Sequence, residues 1–458
     1  MKPLRIKVIT LGCSKNTVDT EHLLGALPPQ AYTVCDSAPV DVLLLNTCGF
    51  IADAKQESID AILEAVEAKK RGDAGKVAVF GCLSQRYAAD LPQAIPEVDA
   101  WFGARDLNPV LEYLGAARSR FVNRLQESRH GYAYIKISEG CDRRCSYCAI
   151  PFIRGAHKSV PIEDLVAEAS QLASEGVSEL ILIAQDTTWY GLDLYGRRAL
   201  AELLQRLSEV PGIKRLRIHY SYPADFPRDV LDQMASNPKV CKYLDIPLQH
   251  ISDGVLDNMH RHIDAAGTRR IIRALRERVP GVVLRTTMIV GHPGEGPAEF
   301  QELLDFVREA RFERLGAFTY SEEEGTWGAA HLDDSVPEEE KRRRLDELMT
   351  LQSAISLEFN RSRIGTVERV LVDDVVGDTL VCRSQYESPE VDGEILVPVA
   401  GLSDIGGEGH PATSILASLR LSNAGQLSAP LQESLIGTYL TVRITEADEY
   451  DLKAVPTT

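Results

Sequence analysis

The chain has 458 residues, enough for roughly three domains of about 150 residues each. Its 50 basic and 67 acidic residues leave a net charge of −17, the wrong surface for nucleic-acid phosphates or an anionic membrane. With 44% hydrophobic and 26% charged residues it has the composition of soluble globular domains that bury real cores.

No apolar run approaches the roughly 18 residues that a membrane span needs. Residues 4–11 are an apolar, β-branched run and predict a first strand. The run is short and carries Arg5 and Lys7, which argues against a secretory leader. The strand reading also outweighs a faint lipoprotein box at Leu11-Gly12-Cys13, so a cytoplasmic protein is expected. Residues 17–27 are helical in period and 41–45 are strand-like. Residues 53–70 form a helix with Ile59, Ile62, Leu63 and Val66 on one face, and 77–80 form a third strand. Cys13, Cys48 and Cys82 each follow one of these strands, at a spacing of about 35 residues that matches one β-α-β step. In an open parallel sheet such strand ends lie side by side at the ligand crevice, so the three thiols are predicted to converge. Gly12, Gly49 and Gly81 flank them, where a bare backbone lets a bulky ligand approach.

A second alternation begins near residue 132. Strands are predicted at 133–137, 179–184, 215–220, 243–246, 282–290 and 314–320, and helices at 162–175, 200–209, 268–278 and 298–310. Six such units suggest a full or partial parallel barrel, whose chemistry belongs in the loops after each strand. Those loops carry residues 138–154, Gln185-Asp186-Thr187, Tyr222-Pro223, Gln249-His250 and His292-Pro293-Gly294. Ser335-Val336-Pro337-Glu338 reads as a capping box opening a helix to about residue 363, with Leu345, Leu348, Ile355 and Phe359 as its apolar face. Beyond Gly365 come short β segments at 366–372, 379–383, 394–397 and 439–444, a small all-β domain interrupted by a Gly-, Ala- and Ser-rich loop at 401–430. The expected class is α/β: an open parallel sheet domain over 3–119, a barrel domain over 127–364 and the all-β domain over 365–456.

Nine cysteines cannot all pair, and in the cytoplasm clustered thiols are more often ligands or catalysts. Cys141, Cys145 and Cys148 form C-x3-C-x2-C on the loop after the first barrel strand. A zinc site wants a second close pair, which is missing from the sequence. Three thiolates on one loop suit an iron–sulfur cluster with one iron left open to a small molecule. Cys35, Cys241 and Cys382 fit neither triad, and His219, His250 and His292 lie near strand ends without ligand spacing.

These motifs resemble the radical S-adenosylmethionine enzymes, and within them the methylthiotransferase family, whose small β domain is called TRAM. The resemblance covers nearly the whole chain. It rests on Leu11 to Asn16 (LGCSKN), Asn46 to Ile51 (NTCGFI), Gly81-Cys82-Leu83, Ser138 to Cys141 (SEGC) and Ile153-Arg154-Gly155. It implies that Cys141, Cys145 and Cys148 hold a [4Fe–4S] cluster whose open iron chelates S-adenosylmethionine. Reductive cleavage then gives a 5′-deoxyadenosyl radical that abstracts hydrogen from the substrate. Cys13, Cys48 and Cys82 would hold an auxiliary [4Fe–4S] cluster, where a sulfur species is methylated by a second S-adenosylmethionine and delivered. An electron donor such as flavodoxin or ferredoxin is implied. Tyr147 is the position that contacts adenine in the wider superfamily. Gln249 and Arg285 are candidate cofactor contacts, each as able to brace a loop, and Gly291 to Glu295 passes the ribose or forms a simple turn.

One branch of this family modifies an adenosine of the N6-isopentenyl type in tRNA, and the other modifies the β-carbon of an aspartate in small-subunit ribosomal protein S-twelve. Residues 365–458 hold five basic and fifteen acidic residues, a net of −10, which repels RNA and complements a strongly basic ribosomal protein or subunit. Gln185-Asp186-Thr187 is similar to the ribosomal-protein branch, since Asn is usual at the middle place in the tRNA branch. Tyr320 to Gly325 (YSEEEG) departs from both, although its acid run also suits a basic partner. The expected activity is aspartate methylthiotransfer. The alternatives are the tRNA reaction and a redox or scaffold protein with two structural clusters.

Overall fold

Apolar strands alternating with half-apolar helices build the first layer of the protein. The computed structural model describes residues 2–120, 123–126, 131–400 and 434–457. Strands β1 (Leu4–Thr10), β2 (Tyr32–Val34), β3 (Val40–Thr47), β4 (Ala74–Gly81) and β5 (Ala100–Trp101) form a parallel sheet in the order β2-β1-β3-β4-β5. Helix Ala52–Arg71 turns Ile62, Ala65 and Val66 onto this sheet and stops at Gly72, whose φ of 85° gives the left-handed turn. The two edge strands, at most three residues long, carry too little periodicity to be read from sequence.

Six strands make the central layer: β6 (Tyr132–Lys136), β7 (Glu179–Ile183), β8 (Arg215–Ile218), β9 (Val240–Asp245), β10 (Val283–Val290) and β11 (Arg314–Thr319). They pair in parallel and in chain order, with β6 and β11 as free edges, so the barrel is partial. Helices Ile162–Ser174, Leu200–Ser208, Arg228–Ser236, Ala265–Arg278 and Pro297–Ala310 lay their apolar faces over its outside in one continuous core. The long helix runs Glu338–Ser362. The expected capping box at Ser335 does not form. Pro337 holds the N-cap position without a side-chain bond, and the Glu338 carboxylate accepts from Lys341 instead of reaching back.

The last domain is a closed five-stranded barrel of β12 (Val367–Val376), β13 (Thr379–Arg383), β14 (Ile395–Pro398), β15 (Tyr439–Ala447) and β16 (Leu452–Pro456), in the order β12-β13-β14-β16-β15. The loop expected at 401–430 lies outside the described residues. Among the described residues no helix is long and apolar enough to cross a membrane.

This small barrel docks on the strand-start end of the central sheet, and much of its acid faces inward. Glu368, Asp373, Glu387 and Asp392 pair with Arg363, Arg383, Arg314 and Arg285. The Glu179 carboxylate, fully buried at the start of β7, accepts from Arg217 and from Arg383 of the small barrel. Burial alone would raise the Glu179 carboxyl, but Arg383, Arg217 and Arg215 outweigh it and hold it down to about 2. A depressed carboxyl stabilises the fold above its ordinary pKa, and that stability is lost as pH falls toward 2. Glu179→Ala strands three arginines, two of them fully buried, and is expected to lower unfolding free energy by about 3–5 kcal/mol, measured by denaturant titration at neutral pH.

Candidate functional site

The first thiol triad is set by strand register. Thr10 of β1 pairs with Asn46 of β3, and Thr47 of β3 with Gly81 of β4, so the three strands end nearly level. Cys13 then occupies the N-cap position of helix Ser14–Gly25, Cys48 follows β3, and Cys82 opens helix Cys82–Arg86. Gly12 sits at φ 92°, and a Cβ on it would lie 2.8 Å from Cys48 Sγ, so only glycine lets these two loops approach. The Asn46 side chain donates to the Asn16 carbonyl at 2.8 Å, and Asn16 donates to the Leu11 carbonyl at 2.7 Å, tying the loops together. Ser58 accepts from the Cys48 amide and donates to its carbonyl. Cys13 is exposed, while Cys48 and Cys82 are buried. Burial pushes the Cys82 thiol up to about 11 and raises Cys48 as well.

The second triad hangs on the loop after β6. The Cys141 amide donates to the Gly155 carbonyl at 3.0 Å, closing the loop, and the Cys148 amide donates to the Cys145 carbonyl. Gly140, at φ 73°, has no room for a Cβ, which would meet the Ala156 oxygen at 2.1 Å. Burial pushes Cys141 and Cys148 each to about 12. Arg261 donates to Cys145 Sγ at 3.4 Å and to the Pro247 carbonyl at 2.6 Å. Its guanidinium carbon lies 4.2 Å from the Tyr222 ring centroid, and that of Arg143 lies 3.9 Å from the same centroid. Arg143 is fixed in turn by Asp186 Oδ2, which accepts from its Nε at 2.9 Å. The Gln185-Asp186-Thr187 motif thus braces the cysteine loop.

The loops that carry the two triads meet at one seam. Cys82 packs directly on Ala149 and Ile153, and Ala149 is the residue after Cys148. Across this seam helix Ser14–Gly25 buries polar side chains: Asp19 pairs with Lys136 and Arg154, and Glu21 with Arg124. Glu323, from the acid run expected to meet a partner, is also buried and pairs with Lys55 and Arg86 of the first domain; Glu322 and Glu324 remain exposed. That pairing is a correction of the outward role expected for Glu323.

Of the candidate cofactor contacts, Tyr147 is nearest the cysteines. Its hydroxyl is 3.5 Å from Arg261 Nη1 and its ring meets His292 edge-on. Gln249 takes a positive φ of 76° beside β10, and its buried Oε1 has no partner. Arg285 is the third residue of β10, at the end away from the cysteine loop. It donates to Asp245 Oδ1 at 3.1 Å and faces Asp392 of the small barrel, so it braces the domain contact. Glu295 accepts from the Gly291 amide and pairs with His250 and Arg344, which makes residues 291–295 a locked turn. Burial holds His292 near 4 and His219 near 3, so both are neutral at physiological pH. Cys241 and Cys382 are buried away from either triad, and Cys35 lies beside the edge strand β2.

Ser138 Oγ, Ser146 Oγ, Gln185 Oε1, Gln249 Oε1 and His292 Nε2 are buried without hydrogen-bond partners. All belong to loops after barrel strands or to the cysteine loop, and such a group of unsatisfied atoms is what a polar ligand would satisfy. Among the described residues, no three His, Cys, Asp or Glu side chains form a ready-made cage for a single metal ion. Sequence motifs pointed to the cysteines and included Asn16 and Asn46 without giving them a role, which is to tie the loops together; Arg261 was missed, since nothing in its spacing marks it.

Three family models match the chain: the radical SAM superfamily over residues 135–307, Uncharacterized protein family UPF0004 over 5–103 and the TRAM domain over 364–413. The chain is 52% identical over 404 residues to the ribosomal protein uS12 methylthiotransferase RimO of Porphyromonas gingivalis, covering 87% of this chain and 93% of that one. It is 47% identical to the protein of the same name from Christiangramia forsetii, covering 100% and 95%. Among solved structures it resembles the radical S-adenosylmethionine methyltransferase TsrM of Kitasatospora setae, with a TM-score of 0.54 at 15% identity over 70% of this chain and 75% of that one. That likeness is one of fold.

Proposed function

The chain belongs to the family of ribosomal protein uS12 methylthiotransferases named RimO, and from that premise we propose that it places a methylthio group on the β-carbon of an aspartate of that ribosomal protein. The observation that carries the proposal is the pair of thiol triads meeting at one seam, Cys82 against the residue that follows Cys148. In this reading residues 3–119 carry the auxiliary cluster, 127–364 the radical chemistry and 365–456 the substrate contact.

The thiols fit iron–sulfur clusters on two grounds. Burial drives four of the six thiols, Cys48, Cys82, Cys141 and Cys148, toward the neutral form, so they need a cation to become thiolates, and metal ligation supplies it. The ligands of an iron–sulfur cube also sit on separate irons, which suits thiols that converge without caging one ion. Cys141, Cys145 and Cys148 would hold the radical cluster, and Cys13, Cys48 and Cys82 the auxiliary one. When bound, these clusters and S-adenosylmethionine supply the electron, the hydrogen-abstracting radical and the methylated sulfur. The protein's own share is placement. Tyr147, Ser138, Gln185 and Gln249 offer a ring and unsatisfied polar atoms to the cofactor, and the buried contact of Cys82 with Ala149 and Ile153 keeps water from the seam.

The partner is read from charge. Asp374, Asp378, Glu390, Glu394, Glu446, Asp448 and Glu449 of the small barrel are exposed. Partial burial, and after it the neighbouring Asp451, Asp373 and Asp374, raise the Glu394 carboxyl. This favours a basic protein over tRNA. A flavodoxin- or ferredoxin-type donor would supply the electrons. The test is mass spectrometry of uS12 from a strain lacking this gene, with and without the gene restored. The methylthio mass increment is expected only where the gene is present. An unchanged uS12 together with a missing tRNA methylthio nucleoside would transfer the assignment to the tRNA reaction.

A further inference from the structure

The loop after β6 ends in a five-residue helix, Ile150–Arg154, whose last side chain turns back across the domain seam. Arg154 is almost completely buried, and each of its three guanidinium nitrogens donates to a polar partner. Its Nε donates to Cys82 Sγ at 3.2 Å. Nη2 donates to Asn16 Oδ1 at 2.6 Å, and Asn16 lies three residues after Cys13. Nη1 donates to Asp19 Oδ2 at 2.6 Å and to Glu139 Oε2 at 3.1 Å. Glu139 precedes the radical cysteines by two residues, and its other oxygen accepts from Gln185, whose remaining amide oxygen is one of the unsatisfied atoms at the cofactor mouth. One guanidinium therefore touches a sulfur of the first triad, the loop of Cys13 and the root of the second triad.

Asp19 and Glu139 face two cations, Lys136 and Arg154, so charge balance accounts for a positive group at this place. It does not account for a planar fork whose Nε is aimed at a sulfur. Hydrogen bonds to ligand sulfur and nearby positive charge are two of the levers by which a protein raises the potential of an iron–sulfur cluster. The fork geometry is specific to arginine, because lysine offers a point charge in place of several fixed donors.

We propose that Arg154 is a positioning residue for the auxiliary cluster: its N–H···S bond to Cys82 raises that cluster's reduction potential, and its bonds to Asn16 and Glu139 fix the spacing between the two triads. This rests on the assignment of Cys13, Cys48 and Cys82 as cluster ligands. Arg105 provides the structural comparison. It grips the same short helix through the Phe152 and Ile153 carbonyls, donating to the latter at 3.0 Å, and it bonds neither triad.

The experiment uses the full chain carrying Cys141→Ala, Cys145→Ala and Cys148→Ala, reconstituted with iron and sulfide, so that only the auxiliary cluster is read. Iron content first tests the ligand assignment: about four irons per chain supports it, and none overturns it independently of Arg154. Arg154→Lys and Arg105→Gln are then added separately, and the potential and the EPR spectrum of the reduced cluster are recorded. Arg154→Lys is expected to keep its iron and to shift the potential to more negative values with altered g-values, while Arg105→Gln leaves both unmoved. An unchanged potential and spectrum in Arg154→Lys overturns the proposal. So does an equal change in both variants, or equal loss of iron from both, since either would show that the helix, and not the bond to sulfur, is what matters.

Discussion

Cys141→Ala is expected to abolish production of 5′-deoxyadenosine and, with it, every trace of methylthio transfer, while leaving the fold intact. Cys141 lies on the loop that follows strand β6, and its amide, bonded to Gly155, closes that loop regardless of the side chain. Alanine removes a half-buried sulfur without leaving a buried charge, because burial favours the neutral form of the Cys141 thiol and of neighbouring Cys148 until metal arrives. The loss should therefore appear as missing iron and missing cofactor cleavage, with little change in thermal unfolding. The measurement is anaerobic turnover with dithionite and S-adenosylmethionine, read by chromatography, beside iron content and a melting curve. Cofactor cleavage at the parent rate would remove the second triad from the radical chemistry. The same assay on the unaltered chain separates an enzyme from a protein whose clusters are merely structural.

The chain advertised its sulfur chemistry and concealed its supports. Three strand ends one β-α-β step apart placed Cys13, Cys48 and Cys82 at one end of the sheet, because parallel strands of similar length end together. The six-strand alternation likewise gave the partial barrel, since the strands in its middle are buried on both faces and a strand such as β7 reads as an apolar run. The seam was invisible for the opposite reason. Helix Ser14–Gly25 is polar in sequence, yet Lys15, Asn16, Asp19, Glu21 and His22 are buried against the barrel, where local pattern predicts solvent. The partners that make this burial tolerable, such as Arg124 and Arg154, lie more than a hundred residues away. The same blindness affected the acid count. A net charge of −10 on the last domain is correct as a sum, but Glu387 and Asp392 answer arginines of the barrel, and only the exposed remainder is available to a basic partner.

Cys82→Ala should divide the activity. Its thiol packs on Ala149 but belongs to a different strand end, and the loop that carries Cys141, Cys145 and Cys148 is closed by its own backbone bonds. Removing Cys82 therefore leaves the second triad and the cofactor mouth in place. Cleavage of S-adenosylmethionine should persist within a few-fold of the parent rate, whereas methylthio transfer to uS12 should fall below detection. The few-fold allowance comes from Arg154, which loses its sulfur acceptor but keeps Asp19, Asn16 and Glu139. Deoxyadenosine and the methylthio mass increment are to be measured in the same reaction, so that a poor preparation cannot imitate the split. If both vanish together while the second cluster is still loaded, the triads are a single functional unit, and the separation of radical generation from sulfur delivery would be wrong. If both survive, Cys82 is not a ligand, and the raised thiol against Arg154 would be a structural contact. A loss confined to transfer is the outcome that places sulfur delivery on the first sheet, across the seam from the radical.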